Sequence, residues 1–217
     1  MMRYIFYILF FIFFINSHVL SNERVYFNSN TGDKLTIILP NGYCDFSDTN
    51  IGKEAFSILQ KTLHNQVVVP KLVYKPCNSD EIIYPWGYVG IFKQKLPNTI
   101  TQNQLSKLSI EGFQDERLNE TIIKDINQNH ENFDTKVKID NLGKMNVLWN
   151  DKDALIFYTT AKSNFEGQQI IEVVTGSMFL HKQHVYYSYI YEELSQNNPL
   201  KVAQQLLNSA KATKEQY

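Results

Sequence analysis

The sequence predicts an α+β domain in which helices are segregated against one antiparallel β-sheet. Segments rich in Ile, Val, Tyr and Phe recur along residues 22–217 and are separated by short turns, which is typical of antiparallel strands. Apolar residues at helical spacing mark amphipathic helices between and after these strands. No internal repeat, long linker or low-complexity tract divides the segment, so we expect a single domain.

Residues 1–21 have the layout of a secretory signal peptide. Arg3 supplies one positive charge, residues 5–15 are apolar, and residues 16–21 are short and mostly polar. The apolar run is too short to cross a hydrocarbon core, which requires about 20 residues. We therefore expect cleavage before Asn22 and an exported, periplasmic or secreted domain of residues 22–217. An N-terminus retained as a membrane anchor is the alternative.

The formal net charge of the chain is −1 at pH 7. A balance this close to neutrality gives no electrostatic reason to expect nucleic acid or an anionic membrane surface as a partner. Contact with a membrane is expected only if the N-terminal segment is not cleaved. Hydrophobic residues make up 43 % of the sequence, which is enough for a substantial core.

The first half of the domain is predicted to contain four strands and one helix. A strand pair is joined by the turn-rich residues 29–33, and Pro40 ends its second strand. Apolar residues then recur at helical spacing from Ile51 to His64, with Asp48 and Thr49 as suitable caps. The predicted strands are residues 24–28, 35–40, 67–74 and 88–92.

The second half is predicted to place an antiparallel meander between helices. Thr101 and Gln104 match the capping box that opens a helix, and we expect this helical stretch to break near Gly112 or Asn119. The last helix begins with Asn198 as cap and Pro199 as first residue. The predicted strands are residues 136–139 with a continuation through Leu148, 154–161, 169–180 and 184–191.

Cys44 and Cys77 are the only cysteines in the chain. Exported proteins meet an oxidising environment, in which such a pair usually forms a disulfide. Neither residue has a second Cys or a His within four positions, as a zinc site would require, and the redox motif C-x-x-C is absent. We predict a structural disulfide that ties together the ends of a β-α-β element, with unpaired or reducible thiols as the alternative.

The order of elements resembles the Mog1/PsbP-like α/β/α sandwich over roughly residues 34–212. Locally, LPNGYC and KPCNSDE resemble a set of small exported proteobacterial proteins with that predicted fold and no assigned activity. The strand, polar turn and helix of residues 184–211 are similar to the close of PsbP-like domains. The resemblance implies the sandwich fold. It also implies a role without catalysis, because characterised members serve mainly as assembly, accessory or binding proteins.

The motifs closest to catalytic or metal chemistry are all incomplete. His181 and His184 face each other across a predicted hairpin tip, but no third ligand is near in sequence. Ser177 lacks the second glycine of a G-x-S-x-G elbow, and Asp151 and Asp153 lack the Gly and Glu of a calcium loop. We therefore predict no catalytic residue, no metal ligand and no cofactor. We also expect no histidine to share a site with a carboxylate or hydroxyl partner, the hairpin pair aside.

Aromatic residues are the remaining candidates for ligand contact. Tyrosines alternate along residues 184–191, so three of them share one face of a strand. Such a strand suits the centre of a sheet with one side under helices, whereas an open face would form a platform for a peptide, lipid or sugar. The segment YPWGY presents a tryptophan either on a loop or buried at the entry of a strand. The candidates are Trp86, Tyr187, Tyr189 and Tyr191.

Together these patterns favour an exported, non-catalytic binding or accessory module over an enzyme. Its partner is expected to be a protein, a lipid or a small ligand. The alternative is a hydrolase or metal-dependent enzyme whose site residues are dispersed in the sequence, as catalytic groups often are.

Overall fold

The computed structural model describes residues 22–79, 84–133, 137–165 and 167–216. The predicted signal peptide, residues 1–21, lies outside the described residues. The helices are α1 (Asn50–Thr62), α2 (Gln102–Phe113), α3 (Glu116–Asn132) and α4 (Pro199–Lys214), with a 3₁₀ turn at Leu194–Gln196. The strands are β1 (Arg24–Asn28), β2 (Lys34–Ile38), β3 (Tyr43–Asp45), β4 (Val68–Pro76), β5 (Trp86–Phe92), β6 (Val137–Leu142), β7 (Asn146–Asn150), β8 (Leu155–Phe165), β9 (Gln168–His181) and β10 (His184–Glu193).

Antiparallel pairing builds both sheets, as the sequence predicted. The main sheet has the order β3-β4-β5-β10-β9-β8-β6, and β7 also pairs with β8. Strands β1 and β2 form a separate two-stranded sheet. Strand β10 lies between β5 and β9, so its tyrosines are at the centre of the main sheet.

Helices cover both faces of the main sheet, which makes the molecule an α+β domain with an antiparallel sheet between layers of helix. On one face, α4 and the β1–β2 pair bury a core that includes Leu206, Tyr186 and Ile190. On the other face, Leu105 of α2 and Leu59 of α1 each join a hydrophobic cluster. In α3, the side-chain amide of Asn127 both donates to and accepts from the backbone of Ile139 in β6.

The helix ends follow the capping chemistry that the sequence predicted. The Thr49 hydroxyl accepts from the backbone N–H of Gly52, and Thr101 forms the complete capping box with Gln104. The Asn198 side chain caps α4, in which Pro199 is the first residue.

The break in the second helical stretch was predicted, whereas one strand prediction was wrong. The helical stretch after residue 101 breaks near Gly112, as predicted: it ends at Phe113 and restarts at Glu116, where the Asp115 carboxylate caps the second helix. The strand predicted to continue from residue 136 to Leu148 is two strands, β6 and β7, which pair with different parts of β8. Residue 136 itself lies outside the described residues.

Cys44 and Cys77 lie at the two ends of a β-α-β segment, as predicted: Cys44 is within β3, α1 follows, and Cys77 comes directly after β4. The two strands pair antiparallel at the edge of the main sheet. The backbone N–H of Cys77 donates to the Gly42 carbonyl at 2.9 Å. The two Sγ atoms lie at disulfide distance, 2.02 Å apart.

Among the described residues, no helix is both long and apolar enough to span a membrane.

Candidate binding surface

The aromatic candidates lie on one face of the main sheet, on two neighbouring strands. In the register of β5 and β10, Tyr191 is directly opposite Trp86, and Tyr189 is directly opposite Tyr88. The Trp86 and Tyr191 rings are stacked with centroids 4.6 Å apart and planes 8° apart. The Tyr88 and Tyr189 rings are also stacked, with centroids 5.0 Å apart. Cross-strand pairs thus bring these side chains into one continuous row of rings.

Part of this row is accessible to solvent. Trp86, Tyr189 and Tyr191 are partly exposed, and we refer to these three side chains as the aromatic surface. Tyr88, which belongs to the same row, is buried. Tyr187 is only 6 % exposed and packs in the cluster that contains Leu105, so its ring contributes to the core. Both interpretations of the tyrosine strand therefore hold in part. On this face of β10, the Tyr187 end is covered and the Tyr191 end is partly exposed to solvent.

Trp86 owes its position to the start of β5. It is the first residue of this strand, not a loop residue, and it packs partly against the cluster formed by Phe46, Leu59 and Val73. The indole is therefore held by its strand and by helix α1 while part of it stays exposed. A ring fixed in this way loses little freedom when it contacts a ligand.

A carboxylate lies beside the aromatic surface. Val174 of β9 is directly opposite Tyr191, and Glu172 precedes it by two residues, so Glu172 projects from the same face. The Tyr84 hydroxyl donates a hydrogen bond to Oε1 of Glu172. Burial raises the pKa of the Glu172 carboxyl above its ordinary value, partly offset by the Tyr84 hydrogen bond.

The tyrosine hydroxyls near Glu172 are neutral. Burial is the main cause that raises the pKa of both Tyr84 and Tyr191, and the nearby Glu172 carboxylate raises both further. The site therefore presents neutral hydroxyls and aromatic rings beside the carboxyl of Glu172. This combination can stack against a flat or cationic group and accept a hydrogen bond from it.

The histidine pair lies at a different edge of the structure. His181 and His184 are directly opposite each other in the β9–β10 hairpin, as predicted, with Lys182 and Gln183 at its tip. His184 also has a carboxylate partner that the sequence did not predict: its Nε2 lies 3.1 Å from Oδ2 of Asp33. No group of three His, Cys, Asp or Glu side chains suitable for a metal is found in the described parts of the chain.

Ser177 and Asp151, the other residues considered for catalysis or metal binding, lie in ordinary structural positions. Ser177 is buried within β9, opposite Ser188. Oδ1 of Asp151 accepts from the backbone N–H groups of Asp153 and Ala154 in the turn between β7 and β8.

A groove of about 620 Å³ lies away from the aromatic surface. The α2–α3 turn and the β6–β7 turn form its walls, which include Phe113, Asn119 and Leu142. It was not predicted from the sequence, because its walls come from segments about 30 residues apart that have no shared motif.

Residues Tyr84 and Glu172 were also missed by sequence reasoning. They are 88 positions apart, and only the pairing of β10 with both β5 and β9 brings them together. The alternation of β9 places Glu172 on the same face as Val174, but no sequence pattern predicts which strand lies beside it.

Comparison with known proteins gives structural likeness only. No protein-family model and no curated protein matches the chain. Among solved structures, the chain is similar to cyanobacterial PsbP (CyanoP) from Synechocystis sp. PCC 6803, with 10 % sequence identity and a TM-score of 0.42, over 91 % of this chain and 94 % of that one. It is also similar to the Saccharomyces cerevisiae Ran-binding protein Mog1p, with 11 % identity, a TM-score of 0.32 and 89 % coverage of each chain.

PsbP and Mog1p are the proteins for which the Mog1/PsbP-like sandwich, the fold that the sequence resembles, is named. Identities this low say nothing about ligand or activity. The likeness of the GYC and KPCN segments to exported proteobacterial proteins is not tested by either match and stays a prediction.

Proposed function

We propose that this protein is an exported, non-catalytic binding or accessory module whose ligand contacts the aromatic surface. The observation that carries the proposal is the stacked pair of Trp86 and Tyr191, partly exposed and fixed on adjacent central strands. Aromatic side chains held in this way give a large contact area at a small cost in conformational entropy.

The export part of the proposal is supported by two features. Residues 1–21 have the layout of a signal peptide. The Sγ atoms of Cys44 and Cys77 lie at disulfide distance, and such bonds persist in oxidising compartments. N-terminal sequencing of the protein recovered from its native compartment tests this part. A start at or near Asn22 is the expected result, whereas a start at Met1 or Met2 in a membrane fraction contradicts it.

The binding part is tested by tryptophan fluorescence, because the chain has only two tryptophans. Trp149 is 47 % exposed on β7, and Trp149→Phe leaves Trp86 as the single reporter. This variant is titrated with cationic peptides, anionic peptides, phospholipid vesicles and a neutral oligosaccharide. At least one class should change the Trp86 emission in a saturable way, and Tyr191→Leu should weaken that response. If no class changes the emission, the aromatic surface is not a binding site.

A further inference from the structure

We infer that the aromatic surface binds a lysine or arginine side chain of a partner polypeptide, with Glu172 as the counter-ion. This inference rests on the proposed function and adds the chemical class of the ligand. Three observations support it: the position of Glu172 relative to Tyr191, the absence of a basic partner for this carboxylate among the described residues, and the open form of the surface.

The position of Glu172 puts a negative charge at the edge of the stacked rings. Tyr191 has Trp86 on one side, in β5, and β9 on its other side, where Val174 and Glu172 project from the same face. On the side of Tyr191 away from Trp86, Val174 is therefore directly opposite, and Glu172 is the diagonal neighbour on the same face. A cation at this edge of the rings would meet aromatic surface and a carboxylate together, an arrangement that favours ammonium and guanidinium groups.

The charge of Glu172 is not neutralised within the described structure. Its partner is the neutral hydroxyl of Tyr84. No ion pair joins Glu172 or the neighbouring Glu193 to a basic side chain of the described residues. Glu193 is exposed and lies directly opposite Glu172 in the register of β9 and β10. Two carboxylates at adjacent positions repel each other, and an approaching cation relieves this repulsion.

The chemistry of Glu172 distinguishes cations from other ligands. Burial raises the pKa of its carboxyl, and a cation beside it would stabilise the ionised form. A neutral sugar would stack on the rings but would leave the charge without a partner. An anionic ligand would be repelled.

The open form of the surface favours a side chain of a polypeptide over a free small cation. Trp86, Tyr191 and Glu172 are partly exposed side chains on neighbouring strands of one sheet face. Sites for free quaternary ammonium ligands enclose the cation in a cage of aromatic rings. A side chain that reaches this surface from a partner backbone obtains its remaining contacts from the rest of that partner.

The test uses the full exported chain with Trp149→Phe, so that Trp86 reports binding. The probes are tetralysine and tetra-arginine peptides, a tetraglutamate peptide, choline and maltotriose. We expect saturable changes in Trp86 emission with the two basic peptides, and responses to choline at least tenfold weaker. Glu172→Gln should weaken the affinity for the basic peptides about tenfold, because it removes the charge while its amide oxygen still accepts from Tyr84.

Two controls separate a specific site from general charge. Glu215→Gln makes the same change in charge at an exposed residue after α4, on the opposite side of the sheet, and should alter the affinity less than twofold. Tyr191→Phe keeps the ring and should retain binding, whereas Tyr191→Leu should weaken it about tenfold. Equal effects of Glu172→Gln and Glu215→Gln would overturn the inference.

The remaining outcomes distinguish this inference from the proposed function. A saturable response to maltotriose or to tetraglutamate, with none to the basic peptides, overturns the cationic ligand but leaves the aromatic surface as a binding site. A response to choline as strong as that to the peptides overturns the assignment to a polypeptide. If no probe changes the Trp86 emission, the inference is overturned. If phospholipid vesicles also leave the emission unchanged, the proposed function is overturned as well.

Discussion

The Nε2 atom of His184 lies 3.1 Å from Oδ2 of Asp33, and this contact links the two sheets of the protein. Asp33 ends the turn between β1 and β2, whereas His184 begins β10 in the main sheet. The same Oδ2 accepts from Lys95 at 2.9 Å and from the Thr31 hydroxyl at 2.6 Å. His184 is only 2 % exposed on its side chain. The β1–β2 pair is thus held both by its apolar contacts with α4 and by a buried imidazole.

Acidification is predicted to destabilise the fold through the histidines of the β9–β10 hairpin. Burial lowers the pKa of His181 to about 4, and the charges of Lys182 and Lys214 add to this effect. Burial also lowers the pKa of His184, despite the opposing effect of Asp33. The unfolded chain therefore takes up protons near pH 6.5, before the folded protein does, and stability falls as the pH decreases from about 6.5 towards 4.

The variant His181→Gln isolates this effect. Raised pKa values of Glu172 and Glu192 act in the opposite direction, because the folded state then binds protons more readily than the unfolded chain. The difference between wild type and variant cancels these contributions. Between pH 7 and pH 5, wild type should lose about 1–2 kcal/mol relative to His181→Gln in urea unfolding. Parallel pH profiles for the two proteins would show that His181 titrates normally in the folded state.

Removal of the cysteine pair is predicted to cost a large part of the stability. The bond between Cys44 and Cys77 closes a loop with a sequence separation of 33 residues, and its loss should lower the free energy of unfolding by about 3–4 kcal/mol on the chain-entropy model. The measurement is urea unfolding of the exported protein beside Cys44→Ala/Cys77→Ala. Non-reducing peptide mapping of the same sample should recover the two cysteines in one linked pair of peptides. Two free thiols there would refute the disulfide.

The sequence predicted elements well where the signal is local. The capping box at Thr101 and the Asn198–Pro199 start of α4 depend on neighbouring residues, and the structure has both. The period-two pattern of the tyrosine strand likewise placed Tyr189 and Tyr191 on one face. These features need no knowledge of the rest of the fold.

Features that depend on distant pairing were not predictable. Strand β3 has only three residues and forms because β4 lies beside it. The placement of β10 between β5 and β9 joins segments about 100 residues apart, and no local pattern specifies that choice. The Tyr84–Glu172 contact and the His184–Asp33 contact follow from the same long-range pairing. The sequence therefore predicted the aromatic residues of the candidate site but not its carboxylate, Glu172.

Substitution of glycine by alanine is predicted to have opposite effects at Gly176, which lies among rings at the centre of the sheet, and at Gly112, which lies in α2. A Cβ atom at Gly176 would lie 2.5 Å from Cζ of Phe157 and 2.9 Å from Cε1 of Tyr189. Phe157 is fully buried, so its ring cannot move aside without disturbing the core. Gly176→Ala should therefore lower the free energy of unfolding by about 1–3 kcal/mol. In contrast, a Cβ atom at Gly112 in α2 would lie 3.5 Å from Cδ2 of Leu118, an ordinary contact.

Gly112→Ala should accordingly be neutral or stabilise the protein by up to about 1 kcal/mol, because alanine is the better helix former. Urea unfolding of the two variants beside wild type measures both effects, and near-ultraviolet circular dichroism reports whether the rings near Tyr189 have shifted. The comparison is decisive because both variants add the same methyl group. If Gly176→Ala were as stable as Gly112→Ala, the rings of Phe157 and Tyr189 would have room to separate, and the aromatic surface would not be the fixed platform that ligand binding requires.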